Sequence, residues 1–469
     1  MIAVGGAAAI LLLAGTGWSL FALLPAGPPQ LGRVALIAGS YIAGAAALSF
    51  LTTVVGVLGG PVHVWPLIGP LMLTLFAAGV VRAWRRRSGP AGRIRDLRGN
   101  PAGLIAAIAS APLLVVAAAQ HMTSNDEYAI WAFKGRILDA VGHLDTYLLS
   151  GDPTYAFSHR DYPLMLPSLL VWGDGWAGAD SERLAHELGT LLTVCALIVV
   201  VSLLARLSGT PIAVLGLLLL LAVTGFMAQA TGFVGDAPTA TLALGLLLSV
   251  VLLTQREPAW VRRDAAVVAS VCASAAAMTK NEGTAFVVAA LVAALLFGRA
   301  SRRALWVPAV TAAAAVLPWM VWWHVHGLQS DFVNSDDLKL SAVRAHSHRF
   351  PHILGRVAHY WPGLPWAFLA LAAIAIGVAT VLTRDRSLLV VPAGGLLALG
   401  VVVVVEMLAP EGNEGFYLAT LPRVLLFPAA ALSVSGPIAL GRLLRRDPPG
   451  LPDEVRQIET SAGCSPVTR

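Results

Sequence analysis

Asp126 and Glu127 stand in Ser124-Asn125-Asp126-Glu127-Tyr128-Ala129-Ile130-Trp131, just beyond the apolar run from Leu104 to Ala119 and at the start of the longest polar stretch of the chain. A carboxylate there suits a general base, or a metal-binding group, that activates a hydroxyl. The local alternative is a helix start, because acids are favoured in a first turn by the dipole and Ser124 or Asn125 is placed to cap it. Lys280, in Thr279-Lys280-Asn281-Glu282-Gly283, interrupts an apolar run from Ala265 to Phe297. Ionisable residues at such depth are expensive and mark function by default. The ammonium suits a phosphate as a point charge, and a simple turn with Lys280 and Glu282 paired is the other reading.

Four further residues are site candidates. Asp236 opens an apolar run in Gly235-Asp236-Ala237-Pro238-Thr239, where it is an N-cap, a site carboxylate, or both. Arg423 follows Pro422 at the mouth of the last apolar run, as a snorkelling anchor or a bidentate phosphate ligand. Asp161 and Tyr162 head the short apolar run Tyr162 to Trp172 and are site candidates as well. The pairs His324-Val325-His326 and His346-Ser347-His348 have the chemistry to hold a metal or titrate near neutrality. No spacing matches a zinc signature, so these read as interfacial histidines.

The elements that must position these groups are membrane spans. Of 469 residues 57% are hydrophobic and 12% charged, against about 25% charged in an average soluble domain, and mean hydropathy is +0.75. With roughly 20 apolar residues needed per span, about 13 spans are expected, near residues 2–24, 34–58, 64–81, 102–119, 185–205, 211–229, 236–254, 265–279, 284–298, 304–323, 361–382, 388–408 and 422–441. The expected fold is all-α: a polytopic transmembrane helical bundle. The first run lacks a basic lead and a cleavage site and reads as a retained span. Cys195, Cys272 and Cys464 have no redox or metal spacing.

A net charge of +6 and a pI near 9.5 would point a soluble protein to nucleic acid. Here the arginines gather in short loops: Arg82 to Arg98, Arg262-Arg263, Arg299 to Arg303, Arg384 to Arg386 and Arg442 to Arg446. That is the positive-inside pattern, so no nucleic-acid partner is expected. Threading then puts the N-terminus outside and the C-terminus in the cytoplasm. The outer segments 121–183, 324–360 and 409–421 carry the acids, including Asp145, Asp152, Asp180, Asp331, Asp336, Asp337 and Glu411. Tyr128 to Val141 predicts an amphipathic interfacial helix, with Ile130, Phe133, Ile137 and Val141 on one side, and Tyr162 to Trp172 an interfacial or re-entrant piece. The chain divides into an N-terminal three-helix segment with its basic loop (1–99), a membrane core (100–441) and a cytoplasmic, disordered tail (442–469).

Asn125-Asp126-Glu127-Tyr128 after a span, then Tyr162-Pro163-Leu164, Asp236-Ala237-Pro238, Thr279-Lys280-Asn281 and Pro422-Arg423 resemble, in order and sidedness, the GT-C superfamily of polytopic glycosyltransferases. The likeness is to the bacterial, glycosyltransferase family 39-like relatives of protein O-mannosyltransferases and to the aminoarabinose transferase, and it covers roughly Leu104 to Leu440. It implies inverting transfer of a sugar from a polyprenyl-phosphate donor to a lipid, glycan or other acceptor at the outer face of the plasma membrane. Asp126 would be the base or metal contact, Glu127 its assistant, and Lys280 with Arg423 the donor-phosphate ligands; Asp236, Glu282, Tyr162 and Asp161 complete the expected site. The resemblance fixes no cofactor, and a divalent metal beside the carboxylates stays open. The first three spans have no counterpart in it. A transporter or flippase for a lipid-linked glycan would use the same charges without bond chemistry.

Overall fold

A computed structural model of the chain describes residues 2–30, 32–87, 101–144, 158–178, 182–255, 257–298, 302–328, 339–409, 412 and 414–444. Outside them lie the basic loop beyond Arg87, the tail beyond Leu444 with Cys464, and the acids Asp145, Asp152, Asp180, Asp331, Asp336, Asp337 and Glu411. All regular structure among the described residues is helical. The first half runs α1 (Ile2–Leu23), α2 (Arg33–Val57), α3 (Gly69–Arg87), α4 (Pro101–Ala119), α5 (Phe133–Val141), α6 (Met165–Ala177), α7 (Glu182–Ser208), α8 (Thr210–Leu221) and α9 (Phe226–Thr231). The second runs α10 (Asp236–Thr254), α11 (Ala259–Thr279), α12 (Asn281–Phe297), α13 (Arg302–Val325), α14 (Leu340–Ala345), α15 (Phe350–His359), α16 (Trp366–Thr383), α17 (Val390–Leu408), α18 (Glu414–Val424) and α19 (Leu426–Leu444).

Ten of these segments are long and apolar enough to cross a membrane: α1, α2, α3 with its preceding turn, α4, α7, α10, α13, α16, α17 and α19. The chain is a multi-pass membrane protein. Three expected spans fall short of that description for identifiable reasons. Helix α8 has only 12 residues and α12 only 17, while α11 carries Arg262, Arg263 and Asp264 in its first two turns.

Helix α10 is buried along its whole length and α7 nearly so. Both are apolar on every side, which is the pattern of a helix surrounded by other helices. Around α10 pack α7, α11, α12 and α19. Helix α16 has the opposite fate: Phe368, Leu371, Ile374, Val378 and Val381 are exposed, which only an apolar solvent makes stable. Helices α1 and α2 meet through small residues. A Cβ on Gly44 would stand 1.9 Å from the Leu13 carbonyl oxygen, and one on Gly17 1.8 Å from that of Ser40.

Two expected interfacial pieces take other forms. The helix from Tyr128 begins as a π-helical turn, Glu127–Ala132, before α5. A π turn changes the angular spacing of side chains, so the buried face is Ile130, Trp131, Lys134 and Leu138, while Val141 is exposed. The run from Tyr162 forms α6, whose residues Met165 to Gly173 are all buried. It packs against α1, α2, α5 and α7, because its polar side chains are too few to give it a wet face.

Candidate active site

Asp236 is the first residue of α10, where a carboxylate could serve the exposed amides of the helix start. It is spent on cations instead. Oδ1 accepts from Lys280 Nζ at 2.8 Å; Oδ2 accepts from Arg423 Nη2 at 3.0 Å and Nε at 3.2 Å. Arg423 Nη1 reaches Oδ2 of Asp126, and Lys280 Nζ lies 3.0 Å from Glu282 Oε1. Five charges therefore alternate in sign: Asp126, Arg423, Asp236, Lys280, Glu282. Burial is graded along the row, with the side chain of Asp236 only 2% exposed and those of Asp126 and Glu282 24% and 29%. The centre is a fixed anchor and the ends face space.

Local structure explains how distant residues arrive there. Lys280 has extended backbone (φ −156°, ψ 154°) that ends α11 and starts α12. The turn is tight, since a Cβ on Gly283 would stand 1.9 Å from the Ala276 carbonyl oxygen. Arg423 closes α18, four residues after Ala419 and beside the cavity-lining Thr420 and Val424. Asp126 precedes the π turn on the loop after α4.

The row borders a cavity of about 660 Å³. Asp126, Asp161, Lys280, Asn281, Glu282 and Arg423 make its polar end; Phe286 of α12, Trp319 and Met320 of α13, and Val401 and Val405 of α17 make an apolar wall. Helices α13 and α17 both line it yet make almost no contact with each other. Tyr162 stacks with Trp131 and with His159, with ring centroids 5.4 and 4.9 Å apart, and Lys280 Nζ lies 5.5 Å from the centre of its ring. Burial, and then the charges of Glu282, Asp161 and Asp236, push the Tyr162 hydroxyl well above its ordinary range. It keeps its proton. Lys134, fully buried, donates to the carbonyls of His159 (2.9 Å) and Tyr162 (3.0 Å), and Asp161 accepts from Asn281 at 2.6 Å on its side chain and from Trp319 at 2.8 Å on its backbone. These bonds fix the segment 158–162 as one side of the cavity.

Of the residues expected from sequence, Asp126, Asp161, Tyr162, Lys280, Glu282 and Arg423 line this cavity, and Asp236 lies behind them. Glu127 does not reach it. Its Oε2 accepts from the amides of Thr123 (2.9 Å) and Ser124 (2.8 Å), and its own amide donates to Ser124 Oγ at 3.2 Å, a reciprocal capping box. Oε1 accepts from the Phe233 amide at 2.9 Å and lies 3.1 Å from His186 Nε2. Burial by itself would raise this carboxyl, but the bonds from His186, Ser124, Phe233 and Thr123 prevail and hold it at about 2.

Because that value lies below the ordinary 4.5, Glu127 stabilises the fold fully above pH 4.5 and loses the contribution, on the order of 3 kcal/mol, as pH falls towards 2. Unfolding in detergent between those limits is expected to be steeper in pH for wild type than for Glu127→Gln. Equal slopes would remove the pinning role.

Sequence reasoning missed Glu406 and Trp323, which also line the cavity, as does Asn281 of the Thr279-Lys280-Asn281 motif. A lone acid near the end of the run 388–408 was the available signal for Glu406. Among the described residues no group of three or more His, Cys, Asp or Glu is arranged to hold a metal ion.

No protein-family model matches the chain, and a search of curated proteins gives no match. The chain is similar to two crystal structures of ArnT from Cupriavidus metallidurans. One is bound to undecaprenyl phosphate (16% identity, TM-score 0.46) and the other is in the apo state (17% identity, TM-score 0.47). Each alignment covers 77% of this chain and 63% of that chain, so this chain spans less than two thirds of the length it is matched to.

Proposed function

We propose that this chain is a membrane glycosyltransferase that moves a hexose or pentose from a polyprenyl-phosphate donor to a lipid or glycan acceptor at the outer face of the plasma membrane. The observation that carries the reading is one cavity with a lysine and an arginine at one end and an apolar wall along two helices that barely touch each other. A phosphate head on an isoprenoid tail has that polarity. Cations at the departing phosphate stabilise the charge that develops there. Arg423 pairs with Asp126; a phosphate at the guanidinium takes the place of the carboxylate and leaves Asp126 free as base. The acceptor hydroxyl then gives its proton to Asp126 while its oxygen bonds to the anomeric carbon. The bond from that carbon to the phosphate oxygen breaks, and polyprenyl phosphate leaves, with inversion.

Sidedness supports the outer location. Helices α11, α13 and α17 have arginines in or just before their first turns and site residues at or near their last, while α19 has Arg442 in its last turn and the site near its first. With the arginine ends in the cytoplasm, the site faces out, the N-terminus is outside and the C-terminus inside.

The test is saturable binding of undecaprenyl phosphate by purified protein, followed by transfer from its glycosylated forms to lipid and glycan acceptors. Lys280→Ala and Arg423→Ala are each expected to weaken lipid binding about tenfold or more, as for loss of a charged hydrogen bond. Wild type that binds none of the lipid would end the proposal; movement of intact glycolipid across vesicles without its consumption would favour a flippase.

A further inference from the structure

Three polar groups in the cavity wall lack partners. Glu406, in the last turn of α17, is 7% exposed and forms no hydrogen bond or ion pair among the described residues. Oε2 of Glu282 is buried without a hydrogen-bonding partner, although Oε1 of the same carboxylate meets Lys280. The indole Nε1 of Trp323 is a buried donor without an acceptor, unlike that of Trp319, which is committed to the Asp161 carbonyl. All three residues line one cavity, and Glu282 and Glu406 are near enough for their charges to interact.

The mixture of roles narrows the ligand. The oxygens of two carboxyl groups require donors, and an indole N–H requires an acceptor. Ammonium and guanidinium groups donate only, and an ionised acid accepts only. Hydroxyls do both. A ring bearing several hydroxyls satisfies the set, and the neighbouring indole and the valines of α17 suit its apolar faces. An acid inside an apolar span is costly enough to need such a purpose.

We propose that Glu406, with Glu282 and Trp323, forms the subsite that holds the ring of the sugar being transferred, and that Glu406 selects among sugars by accepting from their hydroxyls. The proposal rests on the reading of the cavity as a polyprenyl-phosphate-sugar site. Glu282 assigns the subsite to the donor and not the acceptor. Its other oxygen meets the Lys280 ammonium that would hold the phosphate, and a sugar on that phosphate is one bridging oxygen away.

The probes are undecaprenyl phosphate alone and the same lipid carrying glucose, galactose, mannose or arabinose, bound to wild type, Glu406→Gln and Glu406→Leu. Wild type is expected to bind at least one sugar-bearing lipid about tenfold more tightly than the bare lipid, as a charged hydrogen bond allows. Glu406→Leu is expected to erase that increment without weakening the binding of bare lipid. Glu406→Gln, which keeps the shape should the leucine form not fold, is expected to change the rank order of the four sugars. The inference is overturned if wild type shows no increment for any sugar while binding the bare lipid. An increment and rank order that survive both substitutions overturn it equally. Failure of wild type to bind bare lipid defeats the parent reading instead.

Discussion

Asp126→Asn protein is expected to lose sugar transfer by about 10²–10⁴-fold, the usual worth of a positioned base, while binding undecaprenyl phosphate as tightly as wild type or more so. The two halves have one cause. Asp126 is the outer carboxylate on Arg423 and is partly exposed, so in the proposed mechanism its charge both serves the acceptor proton and competes with phosphate for the guanidinium. Neutralising it removes the base and the competitor together. Paired measurements of lipid binding and single-turnover transfer check this. Parallel loss of binding and transfer would make Asp126 a structural partner of Arg423, and retained transfer would exclude it as base.

Asp236→Ala is expected to destabilise the protein by about 3–5 kcal/mol, the cost of leaving buried charge uncompensated. No other residue meets both Lys280 and Arg423 in the row of charges, and the Asp236 side chain is nearly inaccessible. Asp236→Asn keeps an acceptor for one cation and is expected to cost less. Pairing Asp236→Ala with Arg423→Met should recover part of the loss, because the orphaned guanidinium is gone. Reversible unfolding in detergent measures all three. An alanine variant within about 0.5 kcal/mol of wild type, the range of ordinary surface changes, would mean that water or lipid compensates the two cations and that Asp236 is not the anchor.

Individual residues differ in how much of this could be read from the chain. Ser124 and Glu127 form the capping box that their three-residue spacing allows, a local fact open to inspection. That Asp126 faces the cavity while its neighbour faces away could not be read, since adjacent helical residues point about 100° apart and nothing local fixes the rotation. Asp236 looked as much like a cap as a site residue; the structure gives it to Lys280, 44 residues away, and Arg423, 187 residues away.

Glu406 was the harder case. In a soluble helix a polar residue facing inward breaks the amphipathic pattern. In α17 the cavity side, the packed side and the lipid side are all apolar, so periodicity could not say which way the acid pointed.

Sequence alone determined where the apolar helices run, and much about where they end, because a span must satisfy its own backbone hydrogen bonds and its apolar length follows from that. It also determined which ends carry arginine, and that acids and a lysine gather at the others. Only the tertiary structure decided which charges meet. Helix packing among uniformly apolar surfaces depends on shape and on small residues such as Gly17 and Gly44, and that packing brings Asp126, Lys280 and Arg423 together at one end of a single cavity with Asp236 behind them.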